Sequence, residues 1–443
     1  MENYWGIPLL IGYLFVLIYF LRRWNHFKDE TLSQKTILLF FIYKLFLGLA
    51  LTLIYTLYYK VHRDADIFKY YDDSREMTRA LWEKPGDFFK MLFGIGNDSD
   101  YFTQEYYMKM NHWFRQYETQ VYNDNHTMIR MNAVMRLFSF GYFHIHTLFM
   151  CFLSFFGMMS FYKGFSLFID KNKHLLLACA LFLFPSLNFW SAGNLKEGLL
   201  IFALGNIFYF ICLLVLKKHT KIHFVIALFS LIVMFFLKSY ALAAVGIGLT
   251  GLFAGFLVKN KFIPLVYFGL IVCLVAGLFM ATKLYPEYNI PEIITQKQVD
   301  FTRFSLHQKA GSFYSIGQLN GNWPDLLAMS PKAFAFGLFK PMIYEVKNPM
   351  MLMSALESGL IILGMLLSII FFKKIEKHQL NMLLCSIFVV IILCTIIGLA
   401  TANFGSLVRY RVPAIPFIIY TCICLIDVEK IKRLLGISKK ETI

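Results

Sequence analysis

The chain has 443 residues, 58% of them hydrophobic, with 43 basic against 27 acidic residues and a formal net charge of +16. A soluble domain cannot hide that much apolar side chain; the mean hydropathy of +0.58 comes from recurring apolar runs of about 17–25 residues, the length a helix needs to cross a bilayer. The runs are continuous rather than alternating, which excludes a membrane β-barrel, and nearly half of the basic residues sit in short breaks between them, which argues against a nucleic-acid footprint.

In chain order the sequence predicts eleven spans: 5–21, 36–58, 137–162, 174–190, 198–216, 222–237, 240–258, 262–282, 350–372, 381–400 and 413–427. The first follows acidic Glu2 and no small-residue cleavage site follows it, so it reads as a span and not as a signal peptide. Basic breaks alternate along the chain with breaks of little charge excess. The basic set holds Arg22, Arg23 and Lys35; Lys163, Lys171 and Lys173; Lys217, Lys218 and Lys221; Lys259 and Lys261; Lys373, Lys374 and Lys377; and the tail from Lys430 to Lys440. That alternation predicts a cytoplasmic basic face, an N-terminus outside and a C-terminus inside. It requires Lys238-Ser239-Tyr240 to be a tight outer turn between two spans.

Two long segments then fall outside, 59–136 and 283–349, and stretches such as Asp87–Phe93 read as short amphipathic helices lying on the membrane surface. With no linker, repeat or low-complexity tract, the expectation is a single all-α polytopic domain over 1–443. The eight cysteines all lie in apolar runs without metal-ligand spacing. No P-loop, dinucleotide fingerprint, zinc motif or nucleophile elbow occurs, which removes ATP-driven pumping and cytoplasmic nucleotide-sugar use as leading ideas. Lys44 lies within the second span at snorkelling distance from its inner end, and His144 and His146 stand too isolated to read as ligands.

Five polar clusters mark the outer side. The first follows the second span and holds Asp64, Asp66, Tyr70 and Tyr71; its carboxylates suit a general base, a divalent cation such as Mg or Mn, or a plain helix cap. The second is Ser191 to Gly198, where Lys196 stands at the positive end of the next helix and calls for an anion, beside Glu197, the acid expected at a helix start. The third is Lys238, a headgroup anchor or a phosphate contact. The fourth runs from Lys340 to Pro349 with Tyr344, Glu345 and Asn348, followed by Glu357 inside the ninth span, where a carboxylate usually faces a bundle interior or a wet cavity. The fifth runs from Asn403 to Pro413, where Arg409 and Arg411 read as a phosphate clamp or as headgroup anchors.

Asp64-Ala-Asp66 through Tyr70-Tyr71 resembles the first outer-loop acidic motif of the GT-C class of integral membrane glycosyltransferases. Phe189-Trp190-Ser191 through Lys196-Glu197, Lys340 through Glu345 with Asn348 and Glu357, and Asn403 through Arg411 look like blocks of GT-C-like transferases or Wzy-type repeat-unit polymerases of bacterial polysaccharide clusters. The GT-C acid usually follows the first span; here it follows the second. The resemblance implies a bacterial cytoplasmic membrane enzyme of surface polysaccharide biosynthesis. It implies a polyprenyl-phosphate-linked sugar donor, a glycan or lipid-linked acceptor, catalytic roles for Asp64, Asp66 and Glu345, and phosphate binding by Lys196, Lys238, Arg409 and Arg411. Tyr70, Tyr71, Glu197, Tyr344, Asn348, Glu357 and Asn403 would support them. The alternatives are a transporter or flippase for a lipid-linked or anionic substrate, and a non-catalytic scaffold of envelope assembly.

Overall fold

The computed structural model describes residues 5–58, 65–114, 122–285, 289–307 and 311–434, so Asp64 lies outside the described residues. Among the described residues twenty α-helices follow in order: α1 Gly6–Arg23, α2 Gln34–Tyr58, α3 Asp66–Glu83, α4 Pro85–Phe93, α5 Asp100–Glu105, α6 Asn125–Ser139, α7 Phe143–Ser166, α8 His174–Leu183, α9 Pro185–Trp190, α10 Lys196–Val215, α11 Lys221–Leu237, α12 Ser239–Leu257, α13 Ile263–Leu284, α14 Ile290–His307, α15 Trp323–Phe339, α16 Pro349–Ile370, α17 Lys377–Ala400, α18 Phe404–Arg411, α19 Ile415–Leu425 and α20 Val428–Leu434. Extended pairing among the described residues is limited to two isolated bridges.

Among the described residues nine helical segments are long and apolar enough to cross a membrane: α1, α2, α7, α10, α12, α13 with the turn before it, α16, α17, and α18 continued into α19. The chain is a multi-pass helical membrane protein. Local chemistry sets several boundaries. Asn322, Asn348 and Asn403 cap α15, α16 and α18 by accepting a backbone N–H three residues on. Gly94, at φ +70°, ends α4 in the left-handed conformation.

Three boundaries depart from the sequence expectation. The stretch 174–190 is broken into α8, of ten residues, and α9, of six, because Pro185 lacks an N–H and drives Phe184 to an extended ψ of 124°. The stretch 137–162 is two helices, since Phe140 and Gly141 at φ 50° and 82° end α6 before α7 begins. The last span begins at Phe404, not 413, which places Arg409 and Arg411 inside the helix. The break at Lys238, between α11 and α12, falls where the sequence puts it.

The chain folds as two compact units, one of residues 1–161, 187–210 and 220–239, the other of 162–186, 211–219 and 240–443. In the first, α7 and α10 run parallel at close range. His146 shares Asn132 with Asn194 near the start of both; Gly157 meets Gly205, where a Cβ on either would strike backbone of the opposite helix; and Ser160 donates to Asn206 further along. Lys44 of α2 is fully buried here and donates to Ser191 at 2.8 Å. It does not snorkel, because its helix packs against the 191–195 turn and leaves no path to a headgroup.

The first long loop has a core of its own. Arg136 of α6 donates to the Tyr71 carbonyl at 2.6 Å and stacks over the Tyr71 ring, while the Tyr71 hydroxyl donates to the Gly141 carbonyl. Buried Asp73 accepts from the N–H groups of Asn111 and His112 at 2.9 and 2.8 Å. Asp87–Phe93 falls within α4, which buries Phe88 and Met91 and leaves Phe89 and Phe93 exposed.

In the second unit α15 packs antiparallel on α17. A Cβ on Gly337 would meet the Cys394 backbone, and one on Gly398 would meet that of Ala333. The end of α16 meets the end of α19, where Asp427 N–H donates to the Phe371 carbonyl and Lys373 N–H to that of Leu425. At the same end Asp170 accepts from Lys373 at 2.8 Å and from Gln379 at 3.0 Å.

Candidate functional site

In the first unit three helix starts and one helix end converge. Lys196 is the first residue of α10, Asp124 and Asn125 open α6, Asp66 opens α3, and Lys238 closes α11. Asp124 bridges two lysines, with Lys196 Nζ 2.9 Å from one oxygen and Lys238 Nζ 3.3 Å from the other. Lys196 also donates to Asn125 Oδ1 at 2.8 Å. The ammonium groups of Lys69 and Lys196 each lie 5.4 Å from the centre of the buried Tyr70 ring, within the range of a cation–π contact. Lys69 pairs in turn with Asp66.

The ammonium groups of Lys69, Lys196 and Lys238 thus meet the carboxylates of Asp66 and Asp124 at the positive end of α10, a setting that suits an anion. Glu197, in the first turn of α10, is fully buried and complements the helix end. Lys69 thus stands beside Asp66, and Asp64, the other carboxylate expected to hold Mg or Mn, lies outside the described residues.

In the second unit Lys340, Tyr344 and Glu345 form a cluster just after α15. Lys340 Nζ lies 2.6 Å from Glu345 Oε1 and 3.1 Å from the Tyr344 hydroxyl, and the other Glu345 oxygen accepts from Met342 N–H at 2.7 Å. Asn348 and Asn403 serve as helix caps, Asn403 also donating to Ser305 at 3.0 Å.

Arg411 and Glu357 form a buried ion pair at 3.2 Å, with side chains 0% and 2% exposed. The guanidinium also donates to the carbonyls of Leu338 and Lys340 at 2.9 and 3.1 Å and to Ser358 at 3.3 Å. The second Glu357 oxygen accepts from the N–H of Ser186 at 2.8 Å. The pairing of Arg409 and Arg411 in one clamp, expected for an extended segment, does not carry over to a helix: residues two apart point to different faces, and Arg411 is turned into the unit.

The sequence reading missed Asp124, Asn125 and Lys69. Asp124 sits in a polar run, Asn123-Asp124-Asn125, that reads as a loop until the fold brings Lys196 and Lys238 to it. No spacing rule connects residues so far apart in the chain. No family model, curated protein or solved structure matches the chain.

Proposed function

We propose that this protein is a membrane glycosyltransferase or glycan polymerase. It would take sugar from a polyprenyl-phosphate-linked donor on the outer face of a bacterial cytoplasmic membrane and pass it to a glycan or lipid-linked acceptor of surface polysaccharide. The observation that carries the reading is the Lys196–Asp124–Lys238 bridge beside Tyr70, Lys69 and Asp66. A donor of this class leaves as phosphate or diphosphate, and stabilising that developing charge is the main demand on the site. Lys196 and Lys238 meet it, and Asp66 removes the proton from the acceptor hydroxyl as its oxygen attacks the anomeric carbon. Asp64, two residues before Asp66, shares that role in this reading.

The reading includes eleven crossings, with the N-terminus outside and the C-terminus in the cytoplasm. Two observations support crossings beyond the nine long helices. Because α7 and α10 run parallel, the chain between them must return through the membrane, and the broken pair α8 and α9 is the segment available. Lys238, at the end of α11, reaches the same aspartate as Lys196, at the start of α10. The seventeen residues of α11 therefore retrace the length of α10, about 25 Å of helix.

Transport of a lipid-linked or anionic substrate is the second reading. The break between α8 and α9 favours it, since discontinuous helices are a feature of transporter sites. One experiment separates the two. The source organism's envelope glycans are profiled with Asp66→Asn or Lys196→Met against the unaltered protein, at matched protein level. Shortened or absent polysaccharide with lipid-linked precursor accumulating outside supports the transferase. Precursor held on the cytoplasmic face supports transport, and unchanged glycans in both variants refute the site and leave a scaffold role.

A further inference from the structure

We infer that residues 340–348 form a re-entrant segment that dips into the membrane beside α15 and α16 and lines a water-filled inlet open at the face where α16 begins. This stands whatever reaction the protein performs.

Two independent rulers give the depth. α16 is 22 residues long, about 33 Å at 1.5 Å per residue, which matches a hydrocarbon core of about 30 Å. Ser358 of α16 donates to the Lys340 carbonyl at 3.2 Å. Ser358 stands nine residues beyond Pro349, so the Lys340 backbone is about 13 Å in from the start of α16. α17 supplies the second ruler. Gly337 packs on the backbone of Cys394, six residues or about 9 Å in from the end of α17 at Ala400. Three further residues of α15 carry Lys340 to about 13 Å again. Both measurements start from the same face, because the end of α16 and the start of α17 are joined by the short turn 371–376.

At that depth the chain stops being helical, apart from a single short turn at Ile343–Glu345, and climbs back to Pro349. Arg411 satisfies the terminal carbonyls of α15, those of Leu338 and Lys340. Hydrogen bonds within the segment account for the N–H groups of Met342, Glu345 and Val346. The Lys340 N–H closes the last turn of α15 on the Phe336 carbonyl; those of Ile343, Tyr344, Lys347 and Asn348 have no protein acceptor among the described residues, and lipid offers none. Its polar side chains are open: Tyr344 is 78% exposed, Lys347 is exposed, and the Lys340–Glu345 pair is only partly covered, beside one exposed apolar residue, Ile343. Irregular backbone is stable at membrane depth only when buried in protein or facing water, and this segment is not buried.

The test is site-directed spin labelling of the full chain in lipid nanodiscs, with Cys179→Ala and Cys273→Ala as background because the six other cysteines are buried. Nitroxides are placed one at a time at Tyr344→Cys, Met353→Cys and Leu356→Cys, all exposed positions; 353 and 356 lie about 6 and 10 Å along α16 from Pro349, between the Lys340 level and the start of α16. Collision rates with oxygen, which concentrates in lipid, and with nickel–EDDA, which stays in water, are compared. The inference expects oxygen to dominate at 353 and 356 and the nickel complex to dominate at 344, inverting the ratio of the two rates. Oxygen dominance at all three sites overturns it, because the segment would then face lipid. Nickel dominance at all three also overturns it, because that level would lie outside the hydrocarbon; so does lipid at 344 with water at 353 and 356.

Discussion

Arg411→Leu should be among the most damaging single changes in the second unit. The substitution removes the cation opposite Glu357, leaving a carboxylate that is 2% exposed without its counter-ion. It also removes the donors to the carbonyls of Leu338 and Lys340. Breaking one side of a buried pair costs about 3–5 kcal/mol, which is about two to three and a half decades in an unfolding equilibrium. The double variant Glu357→Leu/Arg411→Leu removes both charges, and a balanced pair replaced in this way is often neutral. Here it should remain about 1–3 kcal/mol below the unaltered protein, because the Leu338 carbonyl loses the Arg411 donor and the Ser186 N–H loses the Glu357 acceptor, while the Lys340 carbonyl keeps Ser358. The assay is unfolding of the purified full chain by SDS in mixed micelles, followed by far-ultraviolet circular dichroism. If the double variant regains full stability, Arg411 balances charge and does not hold the α15 terminus. If Arg411→Leu loses less than about 1 kcal/mol, the buried pair itself is refuted.

Gly157→Val should separate α7 from α10, since its Cβ would meet backbone and not a mobile side chain; a loss of about 3 kcal/mol in the same SDS assay is expected, and retention of stability would refute the close approach. Ser191→Ala should cost about 1–3 kcal/mol by leaving the fully buried Lys44 ammonium without its 2.8 Å acceptor, whereas Lys44→Met, which removes the buried polar group as well, should cost less. Asp170 has its folded pKa lowered: burial acts to raise it, and the hydrogen bond and charge of Lys373 outweigh burial. A depressed carboxyl pKa contributes stability that is present above the ordinary value of 3.8 and is lost as pH falls through the lower folded value. Thermal unfolding followed from pH 6 downward should therefore fall less steeply in Asp170→Asn, and an unchanged slope would exclude Asp170 from the acid response. Asp124→Asn leaves Lys196 and Lys238 without the carboxylate between them, so binding of inorganic pyrophosphate, read by calorimetry, should tighten about tenfold and weaken again with salt.

What could be read from the sequence was whatever depends on residues near one another in the chain. Apolar run length gave the membrane class, Pro185 and Lys238 punctuate the runs where the structure breaks them, and Asn348 and Asn403 cap the helices that follow. Pro185 was visible as a breaker, yet its consequence was not: the apolar run continues on either side, and hydropathy alone does not distinguish one helix from two. The start of the last span was missed for a related reason. Phe404 to Arg411 is polar enough to read as a loop, and only Glu357, Ser358 and the α15 carbonyls around Arg411 make it affordable as helix at membrane depth.

The candidate site divides along the same line. Lys196 could be singled out because a cation at a helix N-terminus is locally unfavourable, and the structure gives it a carboxylate, an amide oxygen and an aromatic ring. Arg411 could be singled out because a basic residue at the outer border of a span is unusual, but its role could not. A guanidinium with five donors in a fixed fork can hold a phosphate or the open end of a helix equally well, and which it does depends on whether unpaired carbonyls lie within reach. The fold puts two there, those of Leu338 and Lys340. That places Arg411 in the support of the 340–348 segment and leaves the lysine bridge at Asp124 as the arrangement best suited to an anion among the described residues.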